Sequence, residues 1–417
     1  MSSTKMMRVK ISVKILFLIL LGLLFVYSSF TYIRSIYSFY IAIGGYVSFW
    51  FITNLNHQKW PIRSVSLWAI LALAVSFLYV LNGAGERLAV YVSGIIYILF
   101  WFNTFLYLVN NYSRKETIVF SSFCLLSVLI CIFSTINVLK DHPLAARAMN
   151  GAAEGISDYD IVVFQRMGCG GYGFIYGCVF IGFALLCGFR SELVNKRQKM
   201  ILIILHLLFV YLIVQSQFST AFLLLIIYVT FIILTYSKWH LLSIILVCIF
   251  ALALFISFQY ILRGLSNIAY DIGAIVISDK LNMLNSSLGS RDVESLARTQ
   301  KYMISINGFT SNPIAGSGIS GGHSQILDTL STIGMVGVVY VIFLLSIFKE
   351  MRIYIDEKYV TLFEIIVLLL AIFNPFVDST LLSITYMLVP ALLFSFAPKS
   401  TFYNRKGVAT NEGTLGS

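Results

Sequence analysis

The run LAVYVSGIIYILFWFNTFLYL, residues 88–108, contains no aspartate, glutamate, lysine or arginine. About 20 apolar residues, wound as a helix rising about 1.5 Å per residue, match the roughly 30 Å hydrocarbon core of a bilayer. The run therefore reads as a membrane span. Eleven more apolar runs follow the same rule, near 11–29, 35–54, 65–81, 118–138, 161–188, 200–215, 219–236, 241–262, 324–348, 360–376 and 380–396. The seventh and eighth spans meet at QSQFST (215–220) with almost no loop between them.

The composition of the whole chain agrees. Its 417 residues are 59% hydrophobic and 11% charged, with a mean hydropathy of +0.89. A soluble protein carries about 25% charged residues, and so much apolar surface cannot all be hidden inside one globule. The expected fold class is an all-α polytopic membrane protein of about 12 transmembrane helices. Lys5, Arg8, Lys10 and Lys14 precede the first span in the manner of a signal anchor, and with no small-residue cleavage site it reads as retained.

Orientation follows from the basic residues. With the N-terminus inside, 19 of the 29 lysines and arginines fall on the inner loops and tails, against seven of the 18 acids. The formal charge of +11 is thus a positive-inside bias. It argues against a nucleic-acid partner, which calls for a contiguous basic patch on a soluble surface. The six cysteines all lie in apolar segments without C-x-x-C spacing, and read as small buried hydrophobes.

The polar chemistry collects outside. Residues 1–262 hold the first nine spans, with short inner loops and an outer loop at 139–160; residues 263–323 form one large outer loop; 324–396 hold the last three spans, and 397–417 a cytoplasmic tail. A loop of such length is usually functional. Within it, LSNIAYDIGAIVISDKLNML (265–284) has helical periodicity and suits the membrane interface. From Arg291 to Ile306 a second amphipathic helix is expected, capped by Ser290, with Val293, Leu296, Ala297, Gln300, Met303 and Ile304 on one face and Gly308 and Pro313 ending it.

After that helix comes NPIAGSGISGGHSQILD (312–328), in which Gly316, Gly318 and Gly321 spell G-x-G-x-x-G. A dinucleotide fingerprint needs a strand before it and a βαβ unit around it, and neither is present. The glycines instead read as a flexible approach to His323, permitting close backbone contact and offering N–H groups to an anion. His323, at the mouth of the tenth span, is a candidate base near neutral pH, although an interfacial histidine without chemistry is the plainer alternative.

Other candidates surround it. Arg291 lacks an obvious helical partner, whereas Arg298 has Glu294 four residues before it; an arginine fork suits a diphosphate. Arg166 is expected at the outer end of the sixth span, functional or snorkelling, and Gly173-x-x-x-Gly177 after it suits close helix packing. Asp158-Tyr159-Asp160 forms a D-x-D, a pattern that can hold a divalent metal but that chance also produces. Asp328 can orient a base or contact a sugar hydroxyl. His206, within a span, is expected to pack or hydrogen-bond to a neighbouring helix, and Glu364 is a shallow carboxylate able to reach water or relay protons.

The order of SRDVESLARTQKYM (290–303), NPIAGSG (312–318) and GGHSQILDTLSTIGMVG (321–337), set in about twelve spans, resembles the O-antigen ligase/polymerase superfamily, and within it the Wzy-type polysaccharide polymerases. Arg291, Asn312-Pro313-Ile314, Gly316, Gly318, His323, Asp328, Gly334 and Gly337 match that pattern. Arg166 resembles the family's arginine on an earlier span, without the Asn-Pro pair that often follows it. The resemblance implies a GT-C-like, metal-independent glycosyltransferase of the bacterial cytoplasmic membrane, with both termini cytoplasmic and its working face outside. It implies undecaprenyl-diphosphate-linked glycans as donor and acceptor, no cofactor, and a chain-length regulator and a flippase as possible partners. It further implies His323 as base, Arg291, Arg166 and Arg298 on the diphosphate, and Gly316, Gly318, Gly322 and Asp328 in support. A ligase of the same superfamily and a flippase for the same lipid are the rival readings. A flippase would favour repeated halves and mid-span charges, which the sequence does not display.

Overall fold

A computed structural model describes residues 2–30, 44, 64–81, 88–149, 157–235, 264–287, 293–374 and 380–396. These residues build helices, and among them no strand occurs. In chain order the helices are α1 (Ser2–Ser29), α2 (Ser64–Ser76), α3 (Leu88–Asn111), α4 (Arg114–Asp141), α5 (Asp158–Arg166), α6 (Tyr172–Arg190), α7 (Lys196–Gln215), α8 (Ser219–Thr235), α9 (Ile275–Ser287), α10 (Val293–Ser311), α11 (Gln325–Ile333), α12 (Val338–Met351), α13 (Glu357–Phe373) and α14 (Thr385–Phe396). Among the described residues, five helical stretches are long and apolar enough to cross a membrane: Val92–Asn111, Arg114–Asp141, Tyr172–Arg190, Lys196–Gln215 and Gln325–Met351. Shorter apolar helices cover Ile15–Ser29, Val65–Ser76, Thr220–Ile232 and Thr385–Phe396. The expected spans at 35–54 and 241–262 lie outside the described residues.

Two elements occupy the centre. Helix α6 is buried from Gly173 to Gly188 and packs against α7, α8, α13 and α14. Helix α14, buried from Thr385 to Ser395, fills the space between α3, α4 and α6. Inside a bilayer the hydrophobic effect does not drive helices together, so close van der Waals contact must, and small residues permit it. Gly182 shows how. A Cβ there would stand 3.0 Å from the Tyr228 hydroxyl and 3.6 Å from Cβ of Phe209. The bare position admits α7 and α8 together, and His206 Nδ1 donates to the exposed Gly182 carbonyl at 3.0 Å, the neighbour-helix bond expected of that histidine.

Helix ends are closed by side chains. Ser113 and Glu116 form a reciprocal cap at α4, Ser157 and Asp160 at α5, and Asn195 and Gln198 at α7, each satisfying backbone donors that a first turn leaves open. At the other end of α14, Arg114 Nε and Nη2 donate to the Ser395 carbonyl at 3.2 and 2.6 Å, and Ser191 Oγ donates to that of Phe396 at 2.5 Å. Glu364 is ion-paired with Arg352, which gives this shallow carboxylate a structural partner. The five described cysteines are buried and free, as the sequence suggests.

Three segments depart from the sequence reading. The sixth span does not run unbroken from 161: Met167–Gly171 separates α5 from α6, because Gly168 turns at φ +80° and Thr135 Oγ1 takes the Gly170 N–H at 2.9 Å. The tenth span is also interrupted, by a 3-10 turn at Gly334–Gly337. Finally, α10 is not ended by Gly308 but runs through it to Ser311, since Gly308 is the point of closest packing against α11.

Candidate functional site

The glycine segment 312–324 runs between α10 and α11 and packs on both. Helix α11 is only nine residues long, so its last carbonyls lack helical partners. The glycine segment supplies them: the Ser317 N–H donates to Ser331 O at 2.8 Å and the Gly318 N–H to Thr332 O at 3.2 Å. Two residues past the helix, Met335 N–H donates to Pro313 O at 2.7 Å. Loop and helix end therefore cross backbone on backbone. A Cβ on Gly316 would fall 2.3 Å from Thr332 O, and one on Gly334 would fall 2.3 Å from Ile314 O. Both glycines also hold positive φ, +79° and +69°, a region costly for side-chain-bearing residues.

This corrects the picture of a flexible, anion-ready loop. The amides of Gly316, Ser317 and Gly318 are already committed, to Asn312, Ser331 and Thr332. Gly316 and Gly318 are thus parts of a rigid buckle that caps α11, and an incoming anion would have to displace those bonds.

A second set of bonds flanks the histidine. The Gly321 N–H donates to Ser305 Oγ at 2.9 Å, and Ser305 Oγ–H donates to Asp328 Oδ1 at 2.5 Å. Asp328 Oδ2 accepts the Ser324 N–H at 3.0 Å. Asp328 is 3% exposed, and a carboxylate in the first turn of a helix is also favoured by the helix dipole. Its two oxygens therefore hold residue 324 directly and residue 321 through Ser305, one on each side of Gly322-His323. Ser324 further caps α11 through Leu327 N–H at 3.2 Å. His323 itself is half-buried, and Gly322 is exposed at φ +75° with open space around its Cα. The site is a short strap, Gly322-His323, hydrogen-bonded on both sides at Gly321 and Ser324.

Other elements wall this projection. Tyr302 OH on α10 donates to Phe373 O at 3.4 Å, Gln325 N–H donates to Asn374 O at 3.3 Å, and Asn374 Nδ2 donates to Tyr176 OH at 3.4 Å. Tyr176 belongs to an aromatic trio with Tyr172 and Phe218, with ring centroids 4.5–6.1 Å apart. Sequence reasoning missed Ser305, Ser324 and Asn374. For Ser305 a signal existed: it lies one turn before Gly308 along α10, the helix's small-residue line. Of the expected apolar face of α10, Gln300 is exposed and Met303 and Ile304 are 46% and 43% exposed, while Ser305 is 1% exposed; the side chains of Val293, Leu296 and Ala297 lie outside the described residues.

The remaining candidates separate into two groups. Arg166 is exposed in the last turn of α5, an element apart from α10 and α11, where a cation complements the helix C-terminus. Within the D-x-D, Asp160 is the capping acid of α5: its hydrogen bonds with Ser157 hold its carboxyl below the usual range. Among the described residues no group of three or more His, Cys, Asp or Glu side chains is placed to hold a metal ion. Arg291, and the side chain of Arg298, lie outside the described residues.

The fold and site together define a helical membrane protein with a pinned histidine at the start of one membrane helix. No protein-family model, curated protein or solved structure matches the chain.

Proposed function

We propose that the chain is a membrane glycosyltransferase that polymerises lipid-diphosphate-linked oligosaccharide repeats on the outer face of the cytoplasmic membrane, in about twelve spans with a GT-C-like plan. The observation that supports this reading is the Asp328–Ser305–Ser324 brace around His323. A base must be held within hydrogen-bond reach of the proton it takes, and a two-residue projection fixed on both sides meets that need.

In the proposed reaction the acceptor sugar hydroxyl attacks the anomeric carbon of the donor. The new C–O bond forms as the bond to the carrier diphosphate breaks. The hydroxyl proton passes to the His323 imidazole, and the diphosphate leaves as an anion, its charge offset by Arg291 with Arg298 and Arg166. Gly322, without a Cβ, leaves room for a sugar beside the histidine.

The test is the length distribution of lipid-linked glycan in cells carrying His323→Ala or Arg291→Ala at normal protein levels. Loss of general-base assistance costs about 10²–10⁴-fold in rate, so single repeats should accumulate and long chains vanish. Long chains retained on the carrier in a null strain would indicate a ligase, repeats trapped on the inner face a flippase, and normal polymer from both variants would overturn the reading.

A further inference from the structure

A second site lies at the opposite end of the helices, between α4, α7 and α14. There a groove of about 590 Å³ is lined by Ile118, Leu126 and Leu129 of α4, Leu202 and Leu205 of α7 and Leu392 of α14, with Arg114 and Gln198 at its mouth. Its volume falls in the range of small-ligand sites, roughly 300–1,000 Å³. The groove is apolar along its length and cationic at one end only.

The spacing is that of one lipid leaflet. Ile118, Ser122, Leu125, Leu126 and Leu129 form a single stripe along α4, and the eleven steps from Ile118 to Leu129 cover about 16 Å of helix. Half of a bilayer's hydrocarbon core is about 15 Å. One turn beyond the stripe stands Arg114, at the level where headgroups begin. The flanking outward surface of α4 and α7 is exposed and apolar, with Val119 64%, Phe123 47% and Ile204 58% exposed, a face suited to lipid.

Charge selects the headgroup. Arg114 lines the groove, and the helix starts beside it are basic: Lys115 follows it on α4, and Lys196, Arg197 and Lys199 lie in the first turn of α7, against Glu116 and Glu192. Arg114 is held in place by its two hydrogen bonds to Ser395 O, and a guanidinium has five N–H groups, so donors remain for a phosphate. On the orientation the basic residues favour, the mouth lies in the cytoplasmic leaflet.

We infer that this groove binds one chain of an anionic glycerophospholipid, with its phosphate against Arg114. The site stands apart from His323 and does not depend on the function proposed above.

Native mass spectrometry of the purified full chain, titrated with phosphatidylglycerol or phosphatidylcholine, tests it. The wild type should retain phosphatidylglycerol about tenfold more tightly, because both lipids present a phosphate to Arg114 but phosphatidylcholine adds a quaternary ammonium that the neighbouring cations repel. Arg114→Gln should abolish that preference, and Ser122→Phe, which fills the groove, should remove the retained lipid of either kind. Arg114 also closes α14, so Gln198→Glu provides a second variant: it keeps the reciprocal cap with Asn195 while setting a carboxylate at the mouth, and should equally lose the preference. Equal retention of the two lipids by the wild type, or a preference that survives in folded variants, overturns the inference. So does tighter binding of a polyprenyl phosphate than of phosphatidylglycerol, which would make the groove a carrier site.

Discussion

Two stretches of this chain are rich in glycine, and they use it in opposite ways. In α6 the glycines stay helical, and their missing side chains let neighbouring helices approach. Gly188 leaves room for the Phe396 ring, whose atoms would lie 2.6–2.9 Å from a Cβ. In the segment 316–334 four glycines leave regular conformation, with φ near +70° to +80° at Gly316, Gly318, Gly322 and Gly334, and what Gly316 and Gly334 avoid is backbone. A side-chain ring can turn aside. A peptide group held by two hydrogen bonds cannot. One set therefore tolerates change, and the other does not.

The comparison can be broken at its strongest point by Gly316→Ala. The new methyl meets the Thr332 carbonyl and the Ile333 amide at a positive φ, so a loss of about 3 kcal/mol or more is expected. It should appear as a large fall in the detergent-solubilised melting temperature and as loss of polymer. A melting temperature within a degree or two of wild type would show that the buckle is soft.

Asp328→Ala comes next. It leaves the Ser305 hydroxyl and the Ser324 N–H without their acceptor, costing about 2 kcal/mol. Activity should fall further than that destabilisation alone explains, because the brace around His323 is released. Asp328→Asn, which keeps one acceptor oxygen for Ser305, should recover part of the stability, and hydrogen exchange at Gly321 and Ser324 would report it.

The smallest pair sharpens the contrast. Gly188→Ala meets only a ring that can rotate and should cost about 1 kcal/mol, through packing. Gly322→Ala meets nothing within 4 Å but holds φ +75°, and should cost about 1 kcal/mol through conformation alone. A double variant should give the sum, since the two sites share no contact; a departure from additivity would show that the outer buckle and the buried helix are coupled.

Much of the fold was legible because a bilayer imposes a simple rule. Runs such as 88–108 and 118–138 contain no charged residue, and helices cover them. The breaks were not legible. Residues 161–188 are continuously apolar enough to pass as one span, yet Gly168 turns the chain, and the helical stretch Gln325–Met351 over 324–348 carries a 3-10 turn at Gly334–Gly337 within it. At the candidate site, the sequence singled out His323 and Asp328 by motif but assigned Asp328 to substrate or base. Its partners, Ser305 and the amides at 321 and 324, come from segments whose pairing depends on how α10 lies across α11, and no local periodicity encodes that crossing.

By itself, then, the sequence determined that this is a helical membrane protein with its polar residues gathered on a large loop, because apolar run length and hydrogen-bond demand in lipid leave little choice. Only the tertiary structure decided what the glycines of that loop do. Their amides and bare Cα atoms have meaning solely against the carbonyls of Ser331, Thr332 and Ile314, and it is that crossing of two backbones that turned a seemingly flexible strap into a rigid mount for His323.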